Sequence, residues 1–164
     1  MVRNIIFKTL IDILFIFQGF GILGAFIIIP FGVTKINQVD LDVYEWSLQS
    51  WILLALGVFA YILFMVGLYF LRKVGRYLLS EKYFSVSVIK NLNKSGSFLI
   101  LSGVLGVLGF LIIYVIKLNS GTTAIYNSDI SLPLFISIVG LFFIIQSEVL
   151  LSAKTFKEEN DLTI

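Results

Sequence analysis

Residues 51–71 read WILLALGVFAYILFMVGLYFL, and Arg72 and Lys73 follow at once. No charge interrupts the run. Its length matches the ~20 apolar residues that a helix needs to cross a hydrocarbon core about 30 Å thick. The stretch therefore predicts a membrane-spanning helix closed by a cationic pair. Three more runs of the same kind flank it, at about 9–29, 97–116 and 131–153. The first stops at Pro30, the third lies between Lys94 and Lys117, and the fourth has Pro133 in its first turn, where a missing N–H costs little. The predicted fold is all-α: an integral membrane four-helix bundle, one domain over residues 1–164.

Composition supports that reading. Hydrophobic residues make up 59% of the chain and charged residues 13%, against roughly 45–50% and about 25% in soluble domains. A soluble chain of 164 residues has too little interior to hide so much Ile, Leu and Phe, so the lipid bilayer is the expected surrounding.

The charges orient the spans. Arg3 and Lys8 precede the first span, and Arg72, Lys73, Arg76, Lys82, Lys90 and Lys94 lie between the second and third. Lys154 and Lys157 follow the fourth, while the other two loops hold only Lys35 and Lys117. Basic residues mark the cytoplasmic side, so both termini and the middle loop are expected there, N-in/C-in. The net charge of +2 then reads as a topology signal, and no direct nucleic-acid binding is needed to explain it. A cleaved signal peptide is an alternative for the first span, but its long apolar stretch, internal Asp12 and missing small-x-small site favour an uncleaved helix.

The loops admit further readings. Asp40, Asp42 and Glu45 stand near Tyr44, Trp46 and Trp51 in the first outer loop; a solvated loop with aromatic anchors is favoured over a cation site. In the middle loop, Ser85 is placed to cap a short cytoplasmic helix over residues 86–93, lying at the interface as an elbow, with Gly96 turning the chain into span three. Residues 21–28 and 106–113 resemble each other, which admits two parallel-repeat hairpins or a chance likeness in a narrow alphabet. A repeat predicts that spans one and three meet through small residues, Gly21, Gly24 and Ala25 against Ser102, Gly103, Gly106 and Gly109. Ordinary packing, or a homo-oligomer, also uses such glycines.

Asp12 and Glu148 break the apolar rule near the cytoplasmic ends of spans one and four, with Gln18 and Gln146 close by. They are either a proton or cation relay, or carboxylates paired with Lys8, Arg72, Arg76 or Lys154. No catalytic, metal or cofactor site is expected. The chain has no Cys and no His, no base stands by its Ser and Thr residues, and no phosphate loop follows a strand.

The sequence Tyr83-Phe84-Ser85 and the tail at 156–164, FKEENDLTI, resemble those of a bacterial family of small four-span membrane proteins. It is catalogued as a domain of unknown function and sometimes called YoaS-like. Its members share a Phe-Ser pair before the loop helix and an acidic tail ending in Leu-Thr-Ile or Leu-Thr-Val. Tyr83 departs from the usual small residue or Pro. The resemblance implies a protein of the bacterial cytoplasmic (inner) membrane whose genes neighbour a small helix-turn-helix regulator. It implies a non-enzymatic scaffold or regulator contacting that cytoplasmic partner. Phe84, Ser85, Glu158, Glu159, Asp161, Leu162, Thr163 and Ile164 are the candidate docking residues. The alternative is a small transporter, channel or immunity-type protein using Asp12 and Glu148.

Overall fold

The computed structural model describes residues 2–28, 35–36, 39–40, 48–80, 84–119 and 130–161. Four helices dominate: α1 (Val2–Ile28), α2 (Leu48–Leu79), α3 (Val86–Asn119) and α4 (Ser131–Asp161). Each is long and apolar enough to cross a membrane. Between α1 and α2 a two-residue antiparallel ladder joins β1 (Lys35–Ile36) to β2 (Val39–Asp40), pairing Lys35 with Asp40 and Ile36 with Val39. Asp42, Glu45, Tyr44 and Trp46 lie outside the described residues.

The helices run past the expected spans at one end. α2 continues from Leu71 to Leu79, about 12 Å further. α3 already begins at Val86, about 16 Å before Ser97. Ser85 caps α3 as expected, its Oγ accepting the Val88 N–H at 3.3 Å. The elbow itself is corrected: residues 86–93 are the first turns of one unbroken helix, and Gly96 does not turn the chain.

Packing explains why. A Cβ on Gly96 would stand 2.5 Å from the carbonyl oxygen of Gly140, and one on Gly140 would stand 2.7 Å from that of Gly96. The two backbones of α3 and α4 touch there, which only a residue without a side chain permits. Further along, Gly103 and Gly106 receive Pro133 and Ser137 of α4. The other face of α3 meets α2, where Ser95 Oγ donates to Gly67 O at 2.9 Å and Ser102 Oγ to Ala60 O at 2.8 Å. Gly109 faces Leu56 of the same helix. α3 is thus central, packed between α2 and α4, while α1 lies against α2.

That order corrects the expected meeting of spans one and three. A Cβ on Gly21 would stand 3.2 Å from the Tyr61 hydroxyl of α2, and one on Gly24 would meet nothing within 4 Å. The side chain of Ala25 lies outside the described residues. The glycines of α3 are already filled from within the chain by α4 and α2. Much of α1 stays uncovered, with Phe17 72% and Phe20 68% exposed, as a lipid-facing surface must be.

The best-buried cluster sits where the four helices converge at the α2–α3 end. It comprises Ile11, Leu71, Val74, Val88 and Leu92, with Phe7, Tyr77, Phe143 and Leu150 packed around it. Val88 is only 1% exposed. Val74, Val88 and Leu92 lie beyond the apolar runs, so burying them gains the ordinary hydrophobic free energy, about 1.5–3 kcal/mol per side chain. Helix contacts inside lipid have no such term.

Candidate functional site

The polar side chains gather in two places, a seam between α1 and α2 and the projecting end of the bundle. Asp12, on α1, is half-buried between two cations. Its Oδ1 accepts from Arg72 Nε at 2.5 Å, and its Oδ2 stands 3.0 Å from Lys8 Nζ one turn earlier. The Arg72 guanidinium also lies 5.3 Å from the centre of the Phe15 ring. α2 reaches this level because it is helical past Leu71, so Arg72 is presented to α1 on a rigid element.

Deeper in the seam, the Tyr61 hydroxyl donates to Gln18, with Oε1 at 2.6 Å and the carbonyl oxygen at 2.7 Å. Asn4 Nδ2 donates to Leu78 O at 3.2 Å at the other end. α1 is therefore fastened to α2 by polar contacts spaced along its length as well as by the burial of Ile11 and Phe7. On the α3–α4 side, Asn93 Nδ2 donates to Ser147 Oγ at 3.2 Å, and Ser147 is 2% exposed.

Glu148 and Gln146 belong to a different part of the molecule. Glu148 is exposed on α4 and, among the described residues, forms no ion pair; Gln146 is half-buried nearby. α1 and α4 share no extensive seam, so Asp12 and Glu148 are not brought together as a pair. Among the described residues no three carboxylates gather to hold a metal.

At the projecting end, Phe84 is 46% and Phe156 70% exposed. Glu158 pairs with Lys154 at 3.2 Å along α4, and Glu159 is exposed beside it. The Gly96–Gly140 and Asn93–Ser147 contacts set the antiparallel register of α3 and α4. Continued to the start of α3, it leaves the last turns of α4, from Phe156 on, projecting beyond the end of α2 and the start of α3. Asp161 ends α4, and Leu162, Thr163 and Ile164 lie outside the described residues.

Residues 35–164 match the family described as Protein of unknown function (DUF2975). The chain belongs to that family. The DUF2975 match covers the β ladder, α2, α3, α4 and the tail, so Arg72 and Tyr61 fall inside it. Their partners Asp12 and Gln18, on α1, precede it. No curated protein and no solved structure matches the chain. As a DUF2975 chain with four apolar helices, it is a multi-pass membrane protein.

Sequence reasoning singled out Asp12 and named Lys8 and Arg72 among its partners; it missed Tyr61 and Asn93. Tyr61 carried a readable signal, because it lies midway along an apolar run, away from the interfaces where Tyr usually sits. A phenol there needs an acceptor from a neighbouring helix. Asn93 gave no comparable signal, since it stands among other polar residues of the loop.

Proposed function

We propose that this DUF2975 protein is a non-enzymatic scaffold or regulator of the bacterial cytoplasmic membrane that binds a soluble cytoplasmic protein at its projecting end. The family resemblance points to a small helix-turn-helix regulator as the class of partner. The observation that carries the reading is the build of that end. α2, α3 and α4 extend beyond the apolar spans around a tightly buried core, and they hold Phe84, Val86 and Phe156 out in exposed positions. Ordered helices with exposed apolar and charged residues at an aqueous end form a rigid platform of the kind that a folded partner requires. The concentration of basic residues at the same end supports its cytoplasmic orientation.

The alternative, transport or protection through intramembrane carboxylates, draws little support from the arrangement of its residues. Asp12 is engaged by two cations, and Glu148 lies apart from it. A relay needs carboxylates at hydrogen-bond reach or joined by water.

The test is a cross-linked pull-down from native membranes, comparing the intact chain with one ending at Thr155. Recovery of a DNA-binding protein with the intact chain alone supports docking at residues 156–164. Identical recoveries from both chains would remove the tail from the proposal. Loss of the partner on Phe84→Ala as well would extend the surface to the α2–α3 turn.

A further inference from the structure

The neighbours Arg72 and Lys73 part company: Arg72 turns to α1, whereas Lys73 lies on the other flank of α2, beside Tyr69 and Phe70. The Lys73 ammonium stands 4.7 Å from the centre of the Tyr69 ring and 5.7 Å from that of Phe70. Lys94, from α3, places its own ammonium over the same Phe70 ring at 5.3 Å. Phe70 is stacked on Phe98 of α3, centres 5.7 Å apart and planes 9° apart, so the platform is fixed by both helices. Two cations from two helices thus converge on one aromatic surface. Among the described residues neither has a carboxylate within ion-pair distance, in contrast to Lys8, Arg72 and Lys154.

Depth decides what could neutralise them. Along α2, Lys73 lies about 33 Å from Trp51, and along α3, Lys94 lies about 32 Å from Val115. Both distances slightly exceed the ~30 Å thickness of the hydrocarbon core, which puts the two ammonium groups at headgroup level. Above them, toward the membrane centre, the same helix faces carry Tyr69 and Ile62 on α2 and Leu101 on α3, each exposed. A cationic pair at phosphate depth below exposed apolar side chains has the two parts that a phospholipid needs, a place for the headgroup and one for an acyl chain.

We propose that Lys73 and Lys94 form a binding site for the phosphodiester headgroup of an anionic phospholipid, with Phe70 and Phe98 as its floor. The anion relieves the repulsion between two like charges held over one ring. The lipid chain lies along Tyr69, Ile62 and Leu101. A zwitterionic lipid fits less well, because its own ammonium meets two others.

The test uses the full chain in phosphatidylcholine vesicles carrying a trace of spin-labelled phosphatidylglycerol or spin-labelled phosphatidylcholine. It reads the relative association of the two lipids with the protein. The intact protein is expected to prefer phosphatidylglycerol by about tenfold, and Lys73→Gln/Lys94→Gln to lose most of that preference. Lys73→Arg/Lys94→Arg retains it. If the double Gln variant does not fold, Lys94→Gln alone, on an exposed side chain, is expected to lower the preference about threefold. The control Lys90→Gln/Lys157→Gln removes two charges elsewhere at the same end and leaves the preference in place. An equal loss in that control would overturn the site in favour of diffuse surface charge, and so would no loss in the Gln variants. Displacement of the labelled lipid by inorganic phosphate, with the same lysine dependence, would overturn it in favour of a free phosphate ion.

Discussion

Asp12 sits about one turn into the apolar run of α1 at a cost that only its partners offset. A half-buried carboxylate between Arg72 and Lys8 leaves two cations stranded when it is removed. Asp12→Asn is expected to destabilise the protein by about 1–3 kcal/mol, read as a lower melting temperature in detergent. Adding Arg72→Gln should recover part of that loss, and a strictly additive double variant would sink the pairing argument. Tyr61→Phe, which deletes the donor to Gln18, should cost about 0.6–1.7 kcal/mol by the same measurement. Asp12 was legible in the sequence because a charge inside an apolar run demands a counter-charge, and few lay at matching depth. The Gln18–Tyr61 bond was not, because it depends on how α1 is rotated about its axis. The weak amphipathicity of a lipid-facing helix does not reveal that rotation.

At the scale of the element, Gly96 separates two rules that use the same residue. In water a glycine between polar and apolar segments often marks a turn, and a turn before span three follows from that rule. Here the backbone is continuous because each helical residue on the way into lipid keeps its hydrogen bond, and an interruption at the boundary would leave donors unpaired. The glycine serves the close approach of α3 to Gly140 instead. The spans themselves were legible from length and apolarity alone, and so was a helix over residues 86–93 capped by Ser85; its continuity into span three and the extension of α2 past Leu71 were hidden by polar residues that equally suit a loop. Gly96→Ala puts a methyl group against a fixed carbonyl oxygen and should destabilise the bundle by about 1–3 kcal/mol. Gly24→Ala meets nothing within 4 Å and should be neutral or slightly stabilising in the same thermal assay. Equal effects at both positions would refute the close approach.

The whole molecule combines two environments. Within the spans, glycines and serines let helices approach closely; at the α2–α3 end, a core led by Val88 and Leu92 is assembled as in a soluble protein. Everything proposed for the projecting end depends on which side of the membrane that end faces. The charge distribution sets an expectation: ten of the chain's twelve Lys and Arg residues lie in the segments at that end, and the positive-inside rule acts through short flanking loops such as these. Because the chain contains no Cys, single probes need no background removed. Ser80→Cys, at the end of α2, and Ser131→Cys, at the start of α4, occupy exposed positions at opposite ends of the bundle. A membrane-impermeant maleimide should label Ser131→Cys in intact cells and Ser80→Cys only in inverted vesicles. The opposite pattern would place the projecting end outside the cell, where no cytoplasmic regulator could reach it, and labelling of both from one side would contradict an odd number of crossings between them.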